Sequence, residues 1–494
     1  MSRVAPTFTI ESIDFFERDV RLRMPFRFGV VTLTAAPQAF VHVRIRLAGG
    51  AAGAGAVGEG MAAELLAPKW FDKNPALSNE DNFDQLRAAL GLARSLYLDG
   101  VPRTAFGHYA AHYRAQIEQG AGQGLNPLVA SYGPALVDKA VLDALGRALG
   151  RSFEQMVQAD DIGLVPEAVV PLAPDLAGFD LGGFLAGLRH APRLAARHTV
   201  GLVDPIVASD QADPAAGSRV GDGLPETLEE VVAAYGQRWF KLKVGGNADA
   251  DVERLVRIAG VLDRLPSYHS TLDGNEQYDS VDGVLALWHR IEAEPRLARL
   301  RESVVFIEQP IKRQAALAED VRVLAACKPV IIDESDDSLD AFPRGRAMGY
   351  AGVSSKTCKG LYKSLLNRAR CAHWQAQGAG AFLMSGEDLT IQAGLALQQD
   401  LALVSLLGIT HVERNGHHYV NGMAGLPEAE QAAFLAAHPD LYERSHGAVR
   451  VRIAGGELHI GSLAGRPGFA AGAWPERAAM RPMRAPAWPP AGRA

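Results

Sequence analysis

The chain has 494 residues, 48% of them hydrophobic and 21% charged, with 50 Lys and Arg against 56 Asp and Glu for a formal charge of −6. That composition is globular and long enough for two or three domains, and with both signs interspersed and no basic stripe, nucleic acid is not an expected partner. No signal-type segment and no run of about 18 apolar residues occurs, and Cys327, Cys358 and Cys371 lack metal-ligand spacing, so the reading is a cytoplasmic protein with reduced thiols and no membrane partner.

The first 50 residues read as β structure. Val41, Val43, Ile45 and Leu47 alternate with His42, Arg44 and Arg46, the pattern of a half-buried strand, and a Gly49-Gly50 turn follows. Ahead of it, Arg23-Met24-Pro25-Phe26-Arg27-Phe28-Gly29 reads as a loop loaded with aromatic and basic residues. Either it packs under a domain interface, or it closes over a ligand and supplies Met24, Phe26, Phe28 and a guanidinium. Gly58-Glu59-Gly60-Met61 is a similar segment, in which Glu59 is a turn residue or a site residue.

From Asn79 to about Gly150 the apolar spacing becomes helical, with Pro134 suited to the first turn of a helix ending at Leu149. Residues 1–155 are therefore expected to form an α+β domain. Residues 156–195, with scattered Pro and Gly, read as a linker or insertion. A barrel is expected over 196–425, with a rim loop at Asp210 to Gly223 and a first helix at Pro225 to Tyr235.

Trp239-Phe240-Lys241-Leu242-Lys243-Val244-Gly245-Gly246 is the stretch around which this barrel is organised. Alternation along a strand puts Lys241 and Lys243 on one face, where mutual repulsion and desolvation would lower the pKa of one of them. Taken alone, the stretch favours a surface edge strand with two solvated lysines. Downstream, however, short apolar runs repeatedly end in a carboxylate or a lysine: Asp273-Gly274-Asn275, Glu308-Gln309-Pro310, Asp333-Glu334-Ser335, and Lys356. The steps from Lys243 are 30, 35, 25 and 23 residues, by subtraction of those positions. Each is the size of one unit of a (β/α)8 barrel, whose C-terminal strand ends form a single rim, so these groups are expected to converge.

The seventh strand, from Ala381 to Met384, ends in Ser385-Gly386-Glu387-Asp388. The eighth, from Ile409 to Glu413, ends in Arg414-Asn415-Gly416-His417-His418. Glu387, Glu413, His417 and His418 thus occupy positions suited to substrate specificity. Beyond a helix from Pro427 to Ala437, the strands at Val449 to Ile453 and Glu457 to Ile460 flank Gly455-Gly456 as a hairpin signal. This hairpin is expected to leave the barrel and complete the first domain over about 445–470. The tail, 473–494, is expected to be disordered.

Lys241-x-Lys243, Asp273-x-Asn275, Glu308-Gln309-Pro310, Asp333-Glu334-Ser335 and Lys356, in that order, resemble the enolase superfamily in its muconate-lactonizing enzyme and mandelate racemase branch. The resemblance covers most of the chain and implies a modified TIM-type barrel with an N-terminal α+β capping domain. It implies that Asp273, Glu308 and Asp333 bind one Mg2+, that Lys243 and Lys356 are acid/base groups on opposite faces of the substrate, and that Lys241 supports Lys243 and the substrate carboxylate. It also implies a small-molecule carboxylate substrate and a homo-oligomer. Asn275 is then either an outer partner of the metal ligands or a turn residue, and Glu334 pairs with a lysine. Lys359 competes with Lys356 for the second acid/base role, but Lys356 directly ends the apolar strand.

The residue types suit that chemistry. Removing a proton next to a carboxylate leaves an enediolate with two negative charges on oxygen, which a hard cation held by carboxylates can stabilise. The outcome would be racemisation or epimerisation, cycloisomerisation or loss of water. Two other readings remain open: a lyase or aldolase barrel using Lys243 or Lys356 as a Schiff base, and a non-catalytic barrel that binds metal or ligand.

Overall fold

The computed structural model describes residues 4–28, 31–48, 55–211 and 219–489, and of Phe28 the backbone only. Gly29, the Gly49-Gly50 turn and half of the expected rim loop over 210–223, residues 212–218, fall outside the described residues.

The N-terminal domain is an antiparallel sheet of β1 (Phe8–Phe28), β2 (Val31–Leu47) and β3 (Val57–Leu65), covered by the helices α1 (Asn79–Tyr97), α2 (Ala105–Gly122) and α3 (Pro127–Leu149). Val41, Val43, Ile45 and Leu47 are buried, while Arg44 and Arg46 reach Glu11 on the open face. The Pro-Phe segment, expected to be a loop, is the end of β1, and its pairing with β2 is irregular between Arg21 and Phe26. Gly58-Glu59-Gly60 lies within β3. A Cβ at Gly58 or Gly60 would sit 2.3 or 2.2 Å from the carbonyl oxygens of Ala144 or Ala140, so these glycines exist to seat α3 on the sheet. Glu59 faces outward and pairs with Arg44. It is neither a turn nor a site residue.

The start of α3 also differs from expectation. Asn126 caps Val129 N–H and Pro127 occupies the first turn, so the helix begins seven residues before Pro134, which sits in its interior.

Among the described residues, eight parallel strands close into a barrel: β4 (Arg193–Val200), β5 (Trp239–Lys243), β6 (His269–Asp273), β7 (Val304–Glu308), β8 (Val330–Ile332), β9 (Gly352–Ser355), β10 (Leu383–Gly386) and β11 (His411–Glu413). Pairing of β11 with β4 completes the ring. The first strand starts at Arg193, a few residues before the expected boundary. The segment before it, expected as a linker, contains short helices at Phe153–Gln158, Pro166–Val169 and Leu181–Gly187.

The C-terminal region departs further from expectation. β12 (Tyr442–Ser445) and β13 (Ala448–Val451) form a hairpin around His446-Gly447, whereas β14 (Glu457–His459) pairs antiparallel with the start of β4. The Gly455-Gly456 turn is pinned to the barrel, because Gly456 N–H donates to the Tyr235 carbonyl and Ala196 N–H to that of Gly456. The capping domain is instead reached by the following chain: Phe469 stacks on Phe153 with centroids 4.0 Å apart, and Arg147 donates to the Ala471 carbonyl. Far from being disordered, residues 473–489 lie along the cap. Within them β15 (Arg481–Pro482) pairs with β1, and the Trp488 indole donates to the Gln123 carbonyl. No helix among the described residues is long and apolar enough to cross a membrane.

Candidate active site

Strand register assembles the site. Lys243 lies opposite Asp273, Asp273 opposite Glu308, and Glu308 opposite Ile331, placing Asp333 just beyond the end of β8. Glu387 follows β10 and Glu413 ends β11. All of these side chains, with Lys241 and Lys356, are buried at the C-terminal end of the barrel.

Lys241 occupies the floor. Its Nζ lies 2.9 Å from Asp273 Oδ2, 2.8 Å from Glu308 Oε2, 2.6 Å from Glu387 Oε2 and 3.0 Å from Glu413 Oε2. Burial opposes its charge, but Asp273, Glu308, Glu387 and Glu413 outweigh burial and raise its pKa well above the usual lysine value. Lys241 is therefore not the lysine of lowered pKa, and Lys243 has partners of its own: its Nζ is 2.5 Å from Asp273 Oδ2 and donates to Asn275 Oδ1.

The carboxylates divide unevenly. Burial pushes Asp273 up, but Lys241 and Lys243 hold it below the usual range. Burial likewise opposes the low pKa of Asp333, which Lys356 and Lys359 enforce. Glu308 has only the shared Lys241 ammonium, and burial together with Asp273 and Glu387 raises it well above normal. Its Oε2, though close to Lys241, makes no hydrogen bond of good geometry with any described residue.

Lys356 and Lys359 both reach Asp333, but only Lys356 lines the pocket. Lys356 Nζ donates to Asp333 Oδ2 and lies 4.3 Å from the centroid of the Trp70 ring. Lys359 Nζ, 3.5 Å from Asp333 Oδ1, donates to the Ser354 carbonyl and hydroxyl and lies 3.0 Å from Asp336. Asp333 also raises the Lys356 pKa against the opposing effect of burial.

The pocket above the floor is lined by Lys241, Lys243, Lys356, Asn275 and Glu413 from the barrel, by the loops around Leu389 and Asn415, and by Phe26, Leu33 and Trp70 from the cap. Phe26 stacks on Tyr419 at 4.2 Å between centroids. Met24 is buried but does not line this pocket, and the side chain of Phe28 is outside the described residues. The guanidinium expected over the ligand is a latch instead. Arg23 pairs with Asp222 at 2.6 Å and donates to the His418 carbonyl. His417 and His418 pack around His198 outside the pocket lining, and Glu387 is held between Lys241 and Arg197.

Several contributors escaped sequence reading. Trp70 roofs Lys356, while Lys73 crosses from the cap to Glu334 at 3.0 Å and Glu276 at 2.5 Å. Glu334 also accepts from Asn275 Nδ2 at 3.1 Å, tying the cap to the Lys243 side. Arg313 anchors the same cap segment through the carbonyls of Trp70 and Phe71. The available signal was an aromatic pair, Trp70-Phe71, bracketed by Lys69 and Lys73 directly after a strand and lying outside any helical pattern.

The donor set suits a hard divalent cation. Asp273, Glu308 and Asp333 offer buried carboxylate oxygens from three successive strand ends, one of them without a hydrogen bond. Among the described residues no three acidic, His or Cys side chains stand as a finished metal cage. The ammonium groups of Lys241, Lys356 and Lys359 engage those oxygens, so the match is in ligand type and position.

No family model and no curated protein matches the chain. Solved structures do match. A mandelate racemase/muconate lactonizing protein from Herpetosiphon aurantiacus is 20% identical, covering 93% of this chain and 97% of its own, with a TM-score of 0.56. A 2-chloromuconate cycloisomerase from Rhodococcus opacus 1CP is 17% identical over 95% and 98%, with a TM-score of 0.57. An enolase from Bradyrhizobium complexed with magnesium and mandelic acid is 14% identical over 96% and 97%, also with a TM-score of 0.57. The chain therefore has the capped-barrel fold of these proteins along nearly its whole length.

Proposed function

We propose that the protein is a Mg2+-dependent isomerase or lyase of the mandelate racemase/muconate lactonizing type, which abstracts the proton next to a substrate carboxylate. The observation carrying this reading is the placement of the two pocket lysines. In the ring β4-β5-β6-β7-β8-β9-β10-β11, Lys243 ends β5 and Lys356 follows β9, four strands apart in either direction, so they face each other across the barrel mouth.

Asp273, Glu308 and Asp333 would hold the divalent ion, whose charge would stabilise the enediolate oxygens. Lys241, kept protonated by its carboxylate partners, supplies a fixed positive charge at the floor that orients the substrate carboxylate. Once Asp333 is engaged elsewhere, the strongest influence holding Lys356 charged is gone, and burial favours its neutral, basic form. One lysine removes the proton from its own face of the substrate, and the opposite lysine is placed to deliver a proton to the other face or to the departing group. Phe26, Leu33 and Trp70 close the pocket from above, excluding water and favouring an acid with an apolar body.

Solvent deuterium exchange, followed by NMR on chiral carboxylates with Mg2+ present, tests the reading. Lys243→Ala and Lys356→Ala should each lose exchange with one enantiomer, and opposite ones. Exchange that persists in both variants, or that ignores removal of the metal by chelation, would end the proposal.

A further inference from the structure

β3 of the capping domain carries a buried acid that takes no part in the pocket lining. Glu64 is 1% exposed, and its Oε2 lies 2.9 Å from Nζ of Lys139, a fully buried residue of α3 that also donates to the Ala63 carbonyl. An ion pair held out of water is commonly no more stabilising than apolar residues of the same size. The informative contact is therefore the one the pair makes outside its own domain. Thr357, the residue after Lys356, donates from Oγ1 to the same Glu64 oxygen at 3.1 Å. Glu64 Oε1 has no hydrogen-bond partner among the described residues, so Lys139 and Thr357 share one oxygen.

Thr357 is held from a second direction. Its backbone N–H, part of the peptide that joins it to Lys356, donates to Asp400 Oδ1 in a long hydrogen bond of 3.4 Å. Asp400 belongs to the helix Leu395–Leu406 and is fixed in turn by Arg414 at 2.5 Å. The preceding residue of that helix, Gln399, donates to the Met61 carbonyl of β3 at 2.8 Å, which keeps helix and strand at a set separation around Thr357. These contacts matter because the register of β9 with β10 stops at Ser355. Beyond that point strand pairing no longer fixes the chain, and the peptide after Lys356 lies between one carboxylate from the barrel and one from the cap.

We infer that Glu64 and Thr357 are positioning residues for Lys356: through the Lys139–Glu64 pair the capping domain sets where the peptide after Lys356 lies, and so aims the ammonium under Trp70 and into the pocket. The catalytic consequence rests on the acid/base role proposed for Lys356, whereas the structural consequence rests on geometry alone. Two readouts keep them apart. The first is 19F NMR of the full-length protein labelled with 5-fluorotryptophan, in which Trp70, one of six tryptophans, is assigned with Trp70→Phe. Because Lys356 Nζ lies 4.3 Å from the Trp70 centroid, Lys356→Met should displace this resonance. Thr357→Val, which keeps the shape of the side chain and loses only the hydroxyl, should move it the same way, and Thr357→Ser should return it to the parental position. The second readout is proton exchange by the metal-loaded protein. Thr357→Val should slow exchange on the Lys356 face by about tenfold or more, as expected for a reactive group displaced by less than about 1 Å, and leave the Lys243 face within about twofold. Glu64→Leu/Lys139→Met, which replaces the buried pair by apolar residues, should reproduce both effects. A Trp70 resonance unmoved by Thr357→Val or by Glu64→Leu/Lys139→Met, or moved equally by Thr357→Ser, would overturn the inference, as would equal slowing on the two faces. A parental protein without exchange on either face would overturn the catalytic proposal instead, and the fluorine spectra would then decide the positioning by themselves.

Discussion

The two sides of the candidate pocket carry the same residue type in different company. Lys243 is held by barrel residues alone, Asp273 and Asn275, in strand register. Lys356 stands beyond the end of its strand, bound to Asp333 and roofed by Trp70 from the other domain. The cap therefore touches the Lys356 side directly, through Trp70, and the Lys243 side only through Lys73, Glu334 and Asn275.

The largest expected effect addresses what the sides share. Asp273→Asn, Glu308→Gln and Asp333→Asn should each lose Mg2+ affinity in calorimetry and lower proton exchange on both faces by about 100-fold or more. A variant that retained parental metal affinity would place the ion elsewhere. Next, Trp70→Leu should slow exchange on the Lys356 face by about tenfold, the scale of a desolvated cation–π contact, with the Lys243 face much less affected. Equal losses on both faces would erase the asymmetry.

Lys73→Met cuts the cap's ion pairs to the buried carboxylates Glu276 and Glu334. A destabilisation of about 1–3 kcal/mol in urea denaturation is expected. Since Glu334 leads through Asn275 to Lys243, this variant also asks whether the barrel side feels the cap at all; a kinetic effect confined to the Lys356 face would say that it does not.

The smallest effect compares the domains by pH. Burial lowers His108 in the cap to about 4, against an unfolded value of about 6.5. Its folded pKa is depressed, so the unfolded chain binds the proton more readily. The stability it contributes is complete above about pH 6.5 and is lost as pH falls towards 4. His438, also lowered to about 4 by burial, acts in the same sense. The urea midpoint should therefore decline below pH 6.5, and His108→Gln should make that decline shallower.

What the sequence disclosed follows from the range of the interactions. Asp273, Glu308, Asp333 and Lys356 were legible because each ends an apolar run in a regular βα rhythm, so convergence followed from topology. Lys241 was legible as one of the converging groups, but its charge state was not, because that depends on Glu387 and Glu413 more than 140 positions away. Trp70 and Lys73 reach residues over 200 positions distant, and no local pattern records such contacts. The tail misled for a related reason: its Pro, Arg and Trp content looks like unfolded chain until β1 offers Arg481–Pro482 an edge to pair with. Gly58 and Gly60 suggested a turn because a glycine needed for close helix approach looks the same in sequence as one needed for a positive φ.

The Lys241 ammonium has a further consequence for how such a chain can change over generations. It touches carboxylates following or ending β6, β7, β10 and β11 while itself belonging to β5, so one cation spans five of the eight staves. Losing any one of those acids removes a partner that keeps the lysine charged, and losing the lysine leaves a crowd of buried negative charges. Effects at such neighbouring positions do not add. Inheritance must therefore alter this floor in matched steps, whereas the apolar roof contributed by Phe26, Leu33 and Trp70 carries no charge that binds its positions to one another in that way.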